Sequence, residues 1–398
     1  MLKVQAVVGI FVFLLIAFLL SKDRKKINYR LVLIGLIIQF VIAVFMLRTA
    51  IGVSIFEGVN KGFLVLLNYS NYGAKFLFGS LVDSQSMGAQ VAFQVLPLII
   101  FVSALMALLV YLGIIQFFVR LFAKLFYHSM GITGVEAFTS SLLIFMGIEA
   151  LTGVKKYVEN MNESRLFTIM ATFMSTIAGS VMAAYVSFGA KAGHLLTASV
   201  MSAPAAILIS KIMIPDTEER ADDPLDNIKV DKGGTSIVEA IATGTSNGLK
   251  LSLEVGAMLI AFISLIYLFN DLIGLSGITL EKLLGYIFSP FAFLIGIPYS
   301  EALDVGKLLG VKTVFNEFLS YLKLKTIIST GALSQRTIYI TTYALCGFAN
   351  FGSMGILIGG IGTIAPSHKS IVSKLAFKSL IAGFLATMLT ASIAGLLL

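Results

Sequence analysis

Tryptophan is missing from the chain, cysteine occurs once, and only 13% of the 398 residues carry charge. Each scarcity excludes something. A lone Cys346 rules out an intrachain disulfide and leaves the redox compartment undetermined. Without Trp, an aromatic girdle at a membrane surface has to come from the 13 Tyr and 31 Phe. The three histidines, His128, His194 and His368, lie far apart without metal-site spacing and fall near predicted span ends or loops, so they are expected to be interfacial. His-Glu-x-x-His does not occur and no paired intramembrane aspartates are found, which argues against a membrane-embedded enzyme.

What the chain has in abundance is apolar length. Hydrophobic residues make up 58% and the mean hydropathy is +0.95, whereas a soluble domain is about one quarter charged. Crossing a bilayer as a helix takes about 20 mostly apolar residues. Runs of that kind recur at Val4–Leu20, Leu31–Leu47, Phe93–Leu112 and Leu380–Leu398. The first follows Lys3 in the manner of a signal peptide. It ends directly in Ser21-Lys22-Asp23-Arg24-Lys25-Lys26 without a small-x-small cleavage site, and reads as an uncleaved anchor. Basic residues from Lys22 to Arg30 place that loop in the cytoplasm and the N-terminus outside. The formal charge of +8 is distributed over such short loops rather than along a stripe, so topology explains it and a nucleic-acid partner is not expected.

Four segments follow from the pattern: 1–90 holds N-terminal spans and an interfacial helix, 91–213 a first repeat, 214–236 an acidic loop, and 237–398 a second repeat. Between Ile51 and Ser80, Glu57, Asn60, Lys61, Asn68, Asn71 and Lys75 interrupt the apolar residues too often for a span, which fits an amphipathic helix on the membrane surface. Pro215–Asp231 holds seven of the 21 acidic residues and reads as a solvated divider. The flanking halves resemble each other. Phe93–Leu112, the stretch at Glu149, the Gly-rich Thr176–Gly189 and the span Leu195–Ile209 have counterparts in Glu254–Phe269, the stretch at Glu317, Gly347–Gly362 and the final span. Paired, Gly-interrupted hydrophobic segments are the mark of secondary transporters, whose solute site forms where the repeats meet.

Two acids sit inside apolar segments, at a cost of about 2.5–3.5 kcal/mol each at a helix centre. Glu149 lies in Leu142–Val154 and Glu317 in Val311–Leu324. The apolar limbs beside each read as about half a span, which predicts re-entrant hairpins with the acids at their tips, lining a watery cavity. The alternative is a packing acid neutralised by a buried lysine or by protonation. The run Tyr343–Gly355 places glycines and polar groups in mid-span, consistent with a broken helix or with close packing through small residues. Asn350 and Ser353 are expected to share one helical face. In Thr176–Val181 the hydroxyls serve either an ion or their own helix backbone.

Several of these stretches together resemble the concentrative nucleoside transporter family: Asn316-Glu317-Phe318, Tyr343-Ala344-Leu345-Cys346-Gly347-Phe348-Ala349-Asn350-Phe351, Ile358-Gly359-Gly360-Ile361-Gly362 and Ala365-Pro366-Ser367. Gly193–Ser199 and Met201–Ala206 extend the match. The resemblance implies an all-α polytopic membrane protein of about eight transmembrane helices with two re-entrant hairpins and interfacial helices around an inverted-repeat core. It implies a homotrimer in the bacterial plasma (inner) membrane that carries nucleosides inward with Na+ or H+ and has no organic cofactor. Carried over, Glu317, Asn350 and Ser353 would hold ribose hydroxyls, with Phe348, Val181 and Glu149 beside the substrate. Met146, Thr176, Ile177 and Glu149 would serve the coupling ion.

The first hairpin departs from the family. Where the pattern is Gly-Gln-Thr-Glu-Ala-Pro, this chain has Gly147-Ile148-Glu149-Ala150-Leu151, one residue shorter, with Ile for the base-reading Gln and neither Thr nor Pro. An isoleucine supplies none of the amide's two donors and one acceptor. The family's sodium-binding Asn falls on Leu143 or Leu142, which cannot ligate a hard cation. Proton coupling through Glu149 is the expected substitute, and a different small polar solute, such as a nucleobase or modified nucleoside, is the alternative cargo.

Overall fold

In a computed structural model the chain is helical throughout its described residues, which are 1–83, 91–216, 225, 228, 234–273 and 278–398, with backbone alone at Glu149, Ala150 and Ile273. Helices α1 (Leu2–Leu19), α2 (Tyr29–Arg48) and α3 (Ala50–Phe78) are followed by α4 (Leu96–Tyr111) and α5 (Ile114–Met130). Then comes a hairpin: α6 (Gly134–Leu142), a tight turn, the 3-10 segment Ile148–Val154 and one helical turn, Lys155–Val158. A helix broken in mid-course follows as α7 (Glu163–Ser175) and α8 (Gly179–Ser187), and then the span α9 (Ala192–Met213). After the long α10 (Ile237–Ile273) and α11 (Leu280–Leu294), the same order returns. A hairpin of α12 (Tyr299–Val314) and α13 (Glu317–Thr330) precedes a broken helix, α14 (Gln335–Leu345) and α15 (Phe351–Ile364), and a closing span, α16 (Lys369–Leu397).

Eight helices among the described residues are long and apolar enough to cross a bilayer, or nine if the pair Leu280–Leu294 and Tyr299–Val314, bent by 119°, counts as one. Ala50–Val82, assigned above to the membrane surface, is one of the eight by length and composition. Its helix is almost uncovered by the rest of the fold, which suits either placement. Helix α10, with 37 residues, is about 55 Å long. That exceeds a hydrocarbon layer of about 30 Å, so it crosses obliquely or projects from it.

The second hairpin has limbs of 16 and 14 residues, longer than the half-spans expected from apolar content alone. Lys312 and Thr313 break the apolar run but not the helix, because both are buried and bonded, whereas Asn316 is the extended cap from which α13 starts. The acidic divider lies mostly outside the described residues. Where described it is not simply solvated: Leu225 and Ile228 are buried in the core, and Asp216 bonds to Lys211 Nζ at 2.7 Å.

Local sequence explains where the helices begin. Asn28, Thr49, Asn162, Asn316, Ser334 and Asn350 each accept a hydrogen bond from the backbone N–H three residues on. Thr133 and Glu136 form a reciprocal capping box on α6. Glycine decides where helices touch. A Cβ at Gly244 would fall 2.5 Å from Ala107 Cβ, and one at Gly248 2.8 Å from Ile100 Cα, so this Gly-x-x-x-Gly pair lets α10 lie directly on α4. The innermost layer is formed by α7, α9, α14 and α16, whereas α1, α2, α3 and α10 present rows of exposed Leu, Ile, Val and Phe suited to lipid.

Candidate functional site

The two broken helices are pressed together at their breaks. A Cβ on Gly347 would sit 2.8 Å from Thr387 Cγ2 and 2.9 Å from the backbone of Ser175, and one on Gly383 would sit 2.4 Å from Met174 Cβ. Breaking a helix inside a membrane strands carbonyls that water would otherwise satisfy. Here protein groups satisfy them. The Thr342 carbonyl accepts from Tyr321 Oη at 2.8 Å, Tyr343 from Cys346 N at 3.2 Å, and Ala344 from Lys312 Nζ at 2.8 Å. On the first break, the Thr172 carbonyl accepts from Thr176 N and Oγ1 and from Ser175 Oγ. The tip of the first hairpin is held by backbone contacts: Gly179 N donates to Phe145 O at 3.0 Å and Ser199 Oγ to Ile144 O at 2.9 Å.

Beside these breaks lies a cavity of about 630 Å³, lined by both hairpin tips, the starts of α8 and α15, and one side of α4 and α10. Glu317, Asn350, Ser353, Phe348, Val181 and Met146 all line it. Glu317 is the first residue of α13 and only 5% exposed. Its Oε1 accepts from Tyr185 Oη and its Oε2 from Asn350 Nδ2, both at 2.6 Å. The helix N-terminus behind it favours the anion. A carboxylate offers about four lone-pair positions, so two donors leave acceptor capacity for ligand hydroxyls in the cavity, and charge assistance strengthens such bonds.

Asn350 and Ser353 do not share a helical face. Asn350 is the extended cap of α15, and its Oδ1 accepts from Ser353 N at 2.7 Å, so one amide caps the helix and fixes Glu317 at once. Phe348 packs on Phe173 with ring centroids 5.3 Å apart. Thr176 and Ile177 are buried at the first break, and the Thr176 hydroxyl donates to Thr172 O at 2.8 Å, the backbone-bonding alternative; its oxygen keeps lone pairs. The Glu149 side chain lies outside the described residues. Ile148 is buried against α15, its Cγ1 2.8 Å from where a Cβ on Gly360 would stand, and Leu142 and Leu143 are buried.

Sequence reasoning missed several partners. Tyr185 follows Val181 by four residues and so shares its helix face, a spacing that flags it as a donor for a membrane acid. Its ring stacks on Tyr321 with centroids 4.2 Å apart. Lys312 is fully buried, yet its ammonium bonds Ala344 O and Thr387 Oγ1 rather than pairing with Glu317. Asn247, Lys250 and Glu254 of α10 form part of the cavity wall. His194 is buried rather than interfacial: it starts α9 packed against Phe56 and Tyr339, with Nδ1 3.1 Å from Tyr343 Oη. His128 is exposed and His368 half-buried.

A repeated unit of hairpin, broken helix and span, with a carboxylate and two helix N-termini facing a cavity, defines a secondary transporter for a small polar solute. Three family descriptions match in succession: the N-terminal domain of Na+ dependent nucleoside transporters over residues 8–81, a gate described as nucleoside recognition over 92–192, and the C-terminal domain of the same transporters over 194–395. The chain belongs to this nucleoside transporter family. It is 36% identical to the nucleoside permease NupC of Helicobacter pylori across 98% of this chain and 97% of that one. It is 39% identical to the uncharacterized transporter YutK of Bacillus subtilis across 96% of each. The inward-facing, substrate-bound structure of CNTnw matches with a TM-score of 0.94 at 36% identity, covering 100% of this chain and 98% of that one.

Proposed function

We propose that the protein imports nucleosides by cation symport, with Glu317 as the ribose anchor. The observation that carries this reading is the Glu317 carboxylate, buried at a helix N-terminus, fixed by Tyr185 and Asn350, and left with acceptor capacity toward the cavity. Ribose offers adjacent hydroxyls that match a carboxylate, Ser353 adds a donor, and Phe348 and Val181 supply apolar contact for the base. Counterflow of radiolabelled uridine and adenosine in proteoliposomes tests it. Saturable exchange is expected; absence of exchange for both, together with stabilisation by an unrelated metabolite, overturns nucleoside as the cargo.

For the ion there are two readings. Thr176, Ile177 and Met146 lie around the contact between the first break and the hairpin tip, where oxygen donors could hold Na+. Leu142 and Leu143, buried at the positions that would supply an amide ligand, favour a proton carried by Glu149 instead. Uptake that needs Na+ and ignores an imposed pH gradient would exclude the proton. We further assign the protein to the bacterial inner membrane as a homotrimer, which cross-linking in native membranes would test.

A further inference from the structure

At the end of the molecule where the first loop meets α7 and α9, acidic groups are matched by named cations. Lys211 Nζ lies 2.7 Å from both Glu136 Oε1 and Asp216 Oδ2. Lys22 pairs with Glu163 at 2.7 Å and Lys155 with Glu159 at 3.8 Å. Two cations remain. Arg165, in the first turn of α7, is only 8% exposed, its Nε has no hydrogen-bond partner, and its guanidinium makes no ion pair among the described residues. Lys156, exposed, also lacks one among them.

Both line a second cavity of about 370 Å³, separate from the nucleoside cavity and sharing none of its lining residues. Its remaining wall includes Thr133 and Val135, the cap and second residue of α6, whose opening N–H groups lack intrahelical acceptors. Among the described residues no Asp or Glu lines it. A charge placed only to set topology can stay in water, whereas a buried, unpaired guanidinium bears a desolvation penalty that a ligand would relieve. Arg165 is a planar fork suited to an oxyanion, Lys156 adds a point charge, and a helix N-terminus adds a favourable dipole.

We infer that this cavity is a binding site for a phosphate-type oxyanion, supplied either as a free phosphate group or as a phospholipid headgroup. The basic first loop packs at the same end, with Lys22 N donating to Met213 O, so positive-inside topology puts the site on the cytoplasmic side, away from the arriving substrate.

The test uses the full chain and follows unfolding through the reactivity of buried Cys346 with a thiol dye. One arm titrates inorganic phosphate against chloride at fixed ionic strength in detergent. The other compares nanodiscs of phosphatidylcholine with nanodiscs that also contain phosphatidylglycerol. A saturable rise in the unfolding midpoint is expected in at least one arm, and which arm responds identifies the source. Arg165→Gln should abolish it and Arg165→Lys keep part of it. Lys156→Gln, at an exposed position where misfolding is not a concern, should weaken apparent affinity about tenfold while leaving the unliganded midpoint unchanged. No response of the wild type in either arm overturns the site. So does an equal response in wild type, Arg165→Gln and Lys156→Gln, which would mean an adventitious ion only.

Discussion

Glu317→Gln probes the cavity proposed for the nucleoside with the least change of shape. In the native protein both carboxylate oxygens have a donor at 2.6 Å, Tyr185 Oη on one and Asn350 Nδ2 on the other. A glutamine has one carbonyl oxygen for the two. However the amide turns, either an Asn350 N–H or the Tyr185 O–H is left without its acceptor in a buried position, at about 1–3 kcal/mol. The unliganded protein should therefore unfold at lower temperature. Ligand affinity should fall separately. A hydrogen bond to a charged group contributes about 1.5–3 kcal/mol and a neutral one about 0.5–1.5. Two ribose hydroxyls thus lose about 2–3 kcal/mol together, or roughly 30- to 150-fold in Kd for uridine.

Scintillation-proximity binding of tritiated uridine reads the affinity. Intrinsic tryptophan fluorescence is impossible in a chain without Trp, but the single buried Cys346 makes thiol-dye labelling a direct reporter of unfolding. A variant that binds uridine within threefold of wild type would refute the assignment of Glu317 as ribose anchor. Lost binding with an unchanged midpoint would instead refute the donor accounting around the carboxylate.

Tyr185→Phe keeps the stacking on Tyr321 but removes one charge-assisted bond to Glu317, so uridine Kd should weaken by about tenfold or more in the same binding assay. Gly347→Ala drives a methyl into backbone atoms of Ser175 that cannot yield, and should lower stability by about 1–3 kcal/mol in chemical denaturation. Gly355→Ala, with open space at its Cβ, is the control and should not destabilise. Lys211→Met strands Glu136, which is fully buried, and should cost about 3–5 kcal/mol; adding Glu136→Gln should recover part of it, and a double-mutant cycle on unfolding midpoints measures the coupling.

The architecture was legible because membranes make sequence patterns blunt. Apolar length marks spans, and an acid or a glycine cluster in mid-span marks an exception that needs a reason. Glu317, Asn350 and Ser353 stand out that way and Phe348 through the family resemblance, and the structure brings all four to one cavity. What could not be read were the contacts joining segments distant in sequence. Tyr185 meets Glu317 across 132 positions, and nothing local in either segment announces the other. Lys312 is a charge within an apolar limb, and counting hydropathy cannot show that its ammonium will be absorbed by the stranded carbonyl of a broken helix. The expectation for Asn350 and Ser353 failed for a related reason. Helical spacing presumes a helix, and Asn350 is where the helix starts.

The cavity is divided in its chemistry, and the division bears on selectivity. One side holds buried polar groups whose hydrogen bonds a ligand must match, with Glu317 and Asn350 at its centre. The facing tip of the first hairpin offers Ile148, packed against Gly360 and unable to donate or accept. Sites that hydrogen-bond a substrate hydroxyl reject an analogue lacking it by about 10⁴-fold or more, whereas an apolar pocket separates neighbours by about 1–3 kcal/mol per methylene. Sugar identity should therefore be read strictly and base identity loosely. Removing a ribose hydroxyl from uridine would then be penalised far more than exchanging uracil for adenine. Among the described polar side chains of the cavity wall, Asn247, Lys250 and Glu254 of α10 are able to restore base discrimination through hydrogen bonds. A strict base preference that vanishes on their substitution would move base reading from the hairpin to α10.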